Sequence, residues 1–159
     1  ENFGRPLDDI CRALRQIAEE RHDRVHIIYP VHLNPRVWRP VHDALQGTSG
    51  ITLTPPLDYR SLVYLMRHCR LILTDSGGLQ EEAPSLHRPV LVLREATERP
   101  EAVAAGATRI VGTEPARIVT ETYRLLDDPG VYAQMSNAKN PYGDGKASIR
   151  IVDALEEMR

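Results

Sequence analysis

The sequence has no surplus of positive charge. Its 159 residues carry 20 Lys and Arg against 22 Asp and Glu, a formal net charge of −2 with a pI near 6.3. A nucleic-acid-binding domain shows a basic excess, so nucleic acid is set aside as a partner. Nor does any apolar run approach the ~20 residues of a membrane span. Only two cysteines are present, Cys11 and Cys69. They are far apart in helical patterns and read as small buried residues of a reducing compartment rather than as a disulfide framework. The six histidines show no metal spacing: His22 and His26 are four apart but flank Asp23, Arg24 and Val25, a helix end passing into a strand. No metal is expected. The chain opens on Glu1 rather than an initiator methionine, and a charged helix follows soon after, so no secretory leader is expected. A cytoplasmic protein is expected, and the abrupt start suits one domain of something longer. Repeats, low-complexity tracts and long linkers are missing as well.

What remains is ordinary for a globular domain: 42% hydrophobic and 26% charged residues, and a length that suits a single domain over residues 1–159 with a core needing neither disulfide nor metal. Ile10, Leu14, Ile17 and Ala18 recur at helical spacing, so residues 6–21 are expected to be an amphipathic helix. VHIIYP (25–30), ITL (51–53), RLILTD (70–75), PVLVLR (89–94) and TRIVG (108–112) read as five short strands, with about seven helices between and after them. Asp58 is placed to cap the helix carrying Leu62, Leu65, Met66 and Cys69. NPYGDG (140–145) breaks the chain before a last helix. Strands that are apolar throughout and alternate with helices imply an α/β fold: a Rossmann-like parallel sheet with helices on both faces.

In such folds ligands bind beyond the carboxyl ends of the strands. TDSGGLQEEAP (74–84) is such a place, where the strand at 70–75 passes directly into a helix. Ser76 suits the N-cap, and Gly77 and Gly78 would open the helix. The free N–H groups of a first turn favour an anion, and glycines let it reach the backbone without meeting a Cβ. The turn has neither a Walker lysine nor a GxGxxG spacing, and a plain strand-to-helix turn is the alternative. Glu82 is four residues after Gly78, hence on the same face and about 6 Å along the axis. Its side chain leans back toward the helix start. A carboxylate there would repel phosphate but could accept from ribose hydroxyls one unit further on, as acidic residues do in dinucleotide folds. Glu81 points roughly 100° away and reads as a solvated charge. The helix is expected to run to about Leu86 and to kink at Pro84, which removes the bond to the Gln80 carbonyl.

ENFG, YPVHLNP, LTDSGGLQEEAP, PVLVLREATERPE and NPYGDGKAS, taken together and in order, resemble the C-terminal half of the non-hydrolysing UDP-N-acetylglucosamine 2-epimerases. The resemblance implies the C-terminal half of a GT-B architecture, in which two Rossmann-like domains face each other across a cleft. It implies a UDP-holding domain, with no metal and no cofactor. The implied reaction interconverts UDP-GlcNAc and UDP-ManNAc by inversion at C2, through elimination of UDP and its re-addition on the other face. By the same resemblance, Ser76, Gly77 and Gly78 match the diphosphate-binding turn and Glu82 the ribose-holding glutamate. Arg99 in TERPE matches an arginine directed to the sugar side of the cleft. His32 in YPVHLNP matches a histidine near the diphosphate and sugar, a possible catalytic group. The backbone from Leu57 to Leu62 falls where the family reads uracil, with Leu62 in place of an aromatic residue that some members carry.

Each site residue also has a plain reading: His32 as a hydrogen-bonded loop residue, Arg99 as a surface ion pair with Glu98 or Glu101, and Asn140, Tyr142 and Asp144 as builders of a tight turn. His87 stands where relatives often have glycine, and Ala107 where they often have threonine. The family's HRREN motif is reduced here to Glu1 and Asn2, so the C2 base has no candidate in this chain and the chain alone is expected to be inactive. The resemblance implies as partners a missing N-terminal domain and, in the full-length enzyme, a second copy in a homodimer. Competing functional readings are a GT-B glycosyltransferase using a UDP-sugar, a hydrolysing UDP-GlcNAc 2-epimerase and a non-catalytic UDP-sugar-binding module.

Overall fold

The computed structural model describes residues 2–158; Glu1 and Arg159 lie outside the described residues. Helix α1 (Arg5–Glu20) buries Leu7, Ile10, Cys11, Leu14 and Ile17, the three-and-four spacing seen in the sequence. Strand β1 (Ile27–Pro30) leads to α2 (Pro35–Leu45), where Asn34 Oδ1 accepts from the Arg36 amide at 3.0 Å. Strand β2 (Ile51–Thr54) is followed by α3 (Tyr59–His68). As expected, Asp58 caps α3, accepting from the Ser61 amide at 3.0 Å and its hydroxyl at 2.7 Å.

Strand β3 (Ile72–Thr74) runs into α4 (Gly77–Glu82), which stops where Pro84 cannot continue it. A 3-10 turn (Ala83–Leu86) follows and ends at His87, whose φ of 57° is left-handed. Then come β4 (Val90–Val92), α5 (Pro100–Ala104), β5 (Thr108–Ile110), α6 (Pro115–Asp127), α7 (Pro129–Ser136) and α8 (Ala147–Glu157).

All strand pairs are parallel, so within each hydrogen-bonded group the carboxyl ends share one edge. The expected fold, parallel strands covered by helices on both faces, is the one observed. β4 demonstrates both coverings. Leu91 joins Ile10, Leu14, Ile17 and Ile118 on one side, whereas Val90 and Val92 join Met66, Ile72 and Ala83 on the other. Side chains alternate across a strand, so a strand buried on both faces is apolar at every position. The strands form two hydrogen-bonded groups, β1–β2 and β3–β4–β5, rather than one ladder. Pro30 brings no N–H to β1 and β3 has only three residues, which leaves little regular backbone to join the groups. One apolar cluster nonetheless spans both, taking Ile27, Tyr29 and Leu53 from the first and Leu73 and Leu91 from the second.

Candidate functional site

The site is built on the turn from β3 into α4. Ser76 occupies the N-cap position with extended backbone (φ −80°, ψ 128°), and its amide donates to Thr74 Oγ1 at 3.0 Å. Its hydroxyl makes no capping bond, unlike that of a typical capping serine. Gly77 and Gly78 form the first turn. Neither has a positive φ. A Cβ at Gly77 would meet its nearest atom, Arg99 Nη2, at 3.8 Å, and one at Gly78 would meet Ser76 Oγ at 3.8 Å and Glu82 Oε1 at 4.0 Å. Those are ordinary contacts, so neither the backbone nor the packing of this chain requires glycine at either position. A helix also favours alanine over glycine. The two glycines therefore lower helix stability without serving the fold, and keep open the surface where first-turn N–H groups have no intrahelical acceptor. With α4 only six residues long, its macrodipole is small, and the N–H groups themselves are the donors.

Arg99 precedes α5 and lies across this turn. Its Nε donates to Glu81 Oε1 in an ion pair. Its Nη1 donates to the Glu98 carbonyl at 3.1 Å, and Nη2 lies over Gly77. The hydrogen-bonded Glu81 carboxylate pushes the Arg99 pKa further up, holding it cationic. Glu81, expected to be a solvated charge, is thus half-buried and paired. Behind the pair, Gln80 is fully buried. Its Nε2 donates to the Ser76 carbonyl at 3.3 Å, and its Oε1 accepts from the Thr97 hydroxyl. Thr97 Oγ1 in turn accepts from the Arg99 amide at 3.0 Å. This buried relay joins the glycine turn to the TERPE loop. Sequence reasoning missed Gln80; the available signal was an amide four residues after an N-cap, on the face that packs inward.

Glu82 leans back beside Gly78 as its spacing requires, with Oε2 buried and unpartnered. An orphaned buried carboxylate oxygen is costly and fits an acceptor awaiting a donor. Tyr59, at the start of α3, stands close enough that the Glu82 charge, and a hydrogen bond from the phenol to that carboxylate, raise the phenol above its ordinary value. Its signal in the sequence was an aromatic residue directly after the Asp58 cap. Leu57 is half-buried in the loop leading to α3, and Leu62 packs against the Met66 cluster.

The structure brings Ser76, Gly77, Gly78, Glu82 and Arg99 together. His32 is exposed beyond β1, and its Nδ1 accepts from the Asn34 amide at 3.1 Å, which leaves Nε2 to carry the proton of the neutral ring. Among the described residues, His32 and Leu57 make no hydrogen bond or ion pair with the α4 cluster. Asn2 Nδ2 donates to the Leu93 carbonyl at 2.8 Å and to Asp75 Oδ2 at 3.3 Å, placing Asn2 at the carboxyl ends of β3 and β4. Asn2 also borders a shallow cleft of about 360 Å³ lined by Arg94, Glu95, Ala96, Thr97 and Glu98.

The NPYGDG loop is a tight turn, as expected: Asn140 accepts from the Tyr142 amide at 3.1 Å and donates to Ser85 Oγ at 2.8 Å. It also lies against the site. Burial raises the Tyr142 phenol pKa, the Glu101 and Glu81 carboxylates push it further up, and Arg99 opposes them. Among the described residues no cluster of three His, Cys, Asp or Glu side chains is placed to hold a metal ion, and no helix is long and apolar enough to cross a membrane.

A family model described as UDP-N-acetylglucosamine 2-epimerase matches residues 1–156. The chain is 55% identical over 159 residues to the UDP-N-acetylglucosamine 2-epimerase of Escherichia coli K12, covering 100% of this chain and 42% of that one. Among solved structures, the Neisseria meningitidis UDP-GlcNAc 2-epimerase bound to UDP-GlcNAc superposes with a TM-score of 0.92 at 44% identity, over 98% of this chain and 42% of that one. Staphylococcus aureus MnaA in a co-structure with UDP gives 0.91 at 43% identity, over 98% and 42%. The chain therefore spans about two fifths of the length of these relatives.

Proposed function

The chain belongs to the UDP-N-acetylglucosamine 2-epimerase family, and from that premise we propose that it forms the UDP-holding part of a cytoplasmic isomerase interconverting UDP-GlcNAc and UDP-ManNAc. The observation that carries this reading is the pair of glycines at the head of α4 that the chain's own fold does not need, with Arg99 on one side and Glu82 one turn on. Ser76, Gly77 and Gly78 would hold the diphosphate through main-chain N–H groups. Glu82 would accept from the ribose, and the segment from Leu57 to Leu62 would face uracil. His32 would stand toward the diphosphate and sugar.

In the proposed reaction the proton on C2 leaves and the C1–O bond to UDP breaks, giving a 2-acetamidoglucal. UDP then adds back to C1 as a proton returns to the other face of C2. The leaving group gathers negative charge as the bond breaks. Arg99 and the first-turn N–H groups are placed to offset it where it develops. The same groups retain UDP for the return step, so the intermediate and its partner stay together. The C2 base would come from an N-terminal domain facing this one, within a homodimer of two-domain chains, and this chain alone would bind UDP without turning over UDP-GlcNAc.

The test is calorimetric titration of the chain with UDP and with 2′-deoxy-UDP. UDP binding with a preference for the ribose form is expected. Glu82→Gln should weaken UDP roughly tenfold, the scale of a hydrogen bond to a charged acceptor, and abolish the preference. Equal affinities for the two nucleotides in wild type and variant would show that Glu82 does not hold the ribose.

A further inference from the structure

We propose that Glu81 is a positioning residue that aims Arg99 at the diphosphate; the inference rests on the reading of the α4 turn given above. Two adjacent carboxylates follow the glycine turn and face different tasks. Glu82 lies beside Gly78, whereas Glu81 reaches sideways to Arg99. A guanidinium presents its donors in a fixed plane, so holding two of its edges determines where the third points. Here Nε is held by Glu81 and Nη1 by the Glu98 carbonyl. The remaining nitrogen, Nη2, lies nearest the place a Gly77 Cβ would occupy, 3.8 Å away. Arg99 is therefore directed over the first turn of α4, toward the same spot as the first-turn N–H groups.

The pair has little value for the fold. Its side chains are 34% and 42% exposed, and half-exposed ion pairs add little to stability. The Arg99 main chain is anchored separately, through Thr97 and the buried Gln80. Removing Glu81 therefore leaves the backbone of the loop in place and frees only the direction of the guanidinium. Tyr142 and the Glu98 carboxylate also face this pair; burial raises the Tyr142 phenol pKa, so Tyr142 stays neutral and offers Arg99 no competing anion. Arg99 does not reach its position by attraction to a ligand alone: the protein orients it beforehand, which lowers the ordering cost on binding.

The experiment is a double-mutant cycle on the chain, using Glu81→Gln, Arg99→Ala and the double variant, each titrated with UDP and with uridine. Glu81→Gln should weaken UDP roughly threefold to tenfold, within the lower part of the range of coupling between contacting residues. It should leave uridine binding and the melting temperature unchanged. In the Arg99→Ala background the same substitution should have no further effect on UDP, and Glu81→Asp should restore part of the loss. Additive effects of the two substitutions would overturn the proposal, because Glu81 would then act without Arg99. Equal weakening of UDP and uridine would also overturn it, assigning Glu81 a general structural role. If the wild-type chain binds uridine but gains nothing from the diphosphate, the reading of the α4 turn fails, and this inference with it.

Discussion

Replacing Gly77 or Gly78 by alanine should move stability and ligand binding in opposite directions. Both glycines are helical without positive φ, and each added Cβ would find its nearest neighbour at 3.8 Å. The native state thus accommodates the methyl group, while the unfolded chain loses freedom. At compatible positions such a change stabilises by about 0.4–1 kcal/mol. For a domain of this size that raises Tm by about 1–4 °C per substitution. Binding should fall, because the methyl group stands over the N–H groups that the diphosphate needs at about 2.9 Å. A hydrogen bond to a charged group is worth about 1.5–3 kcal/mol, so UDP affinity should drop roughly tenfold or more per site. Thermal melts of the free variants give the first quantity and UDP calorimetry the second. A fall in Tm of several degrees would mean that the glycines serve packing after all. Unchanged UDP affinity would remove the anion site from this turn.

Two further outcomes test the frame around the site. Leu91 is fully buried in β4 between α1 and α6, so Leu91→Ala should cost about 2–5 kcal/mol in chemical denaturation, and a loss below 1 kcal/mol would contradict the covering of that face. At alkaline pH, burial raises the Cys11 thiol from 9.0 to about 11, and burial with the Glu20 hydrogen bond raises Tyr123 from 10.0 to about 12. Groups raised on folding contribute stability that is fully present below their unfolded pKa and is lost as pH climbs through the folded value. Stability should therefore hold to about pH 9 and decline through pH 11–12, and Cys11 should resist alkylation at pH 8.5 until denaturant is added. Rapid modification of Cys11 in the native state would refute both its burial and its shift.

The apolar runs and helical periodicities made the fold legible, because a strand buried on both faces must be apolar at each position, as Val90, Leu91 and Val92 are. The division into two strand groups was not legible: it depends on which backbone groups of β1 and β3 approach each other, and no side-chain pattern encodes that. At the site, the Gly78 to Glu82 spacing was readable from helix geometry alone. The pairing of Glu81 with Arg99 was not, since the two are 18 residues apart and meet only because α4 and the TERPE loop share an edge. Gln80 escaped notice because a buried glutamine shows its use only when both of its partners, Ser76 and Thr97, are in place. His87 had been marked by resemblance as a place for glycine. Its left-handed φ of 57° supplies the reason, as a Cβ disfavours that conformation.

Helix α8 has a different standing in time from the rest of the molecule. None of its residues is buried, and Ile149, Ile151, Val152 and Leu155 are each more than half exposed. Its 11 residues fall short of the ~12–15 at which even favourable sequences are marginal as isolated helices in water. Asp144 gathers Arg150 and the Lys146 amide at its first turn, but beyond that point no residue of the helix is buried against the domain. In the chain by itself, α8 is thus a separate opening unit. Its amide protons should exchange with solvent at the rate of local fraying, while those of β4 wait for the whole domain to unfold.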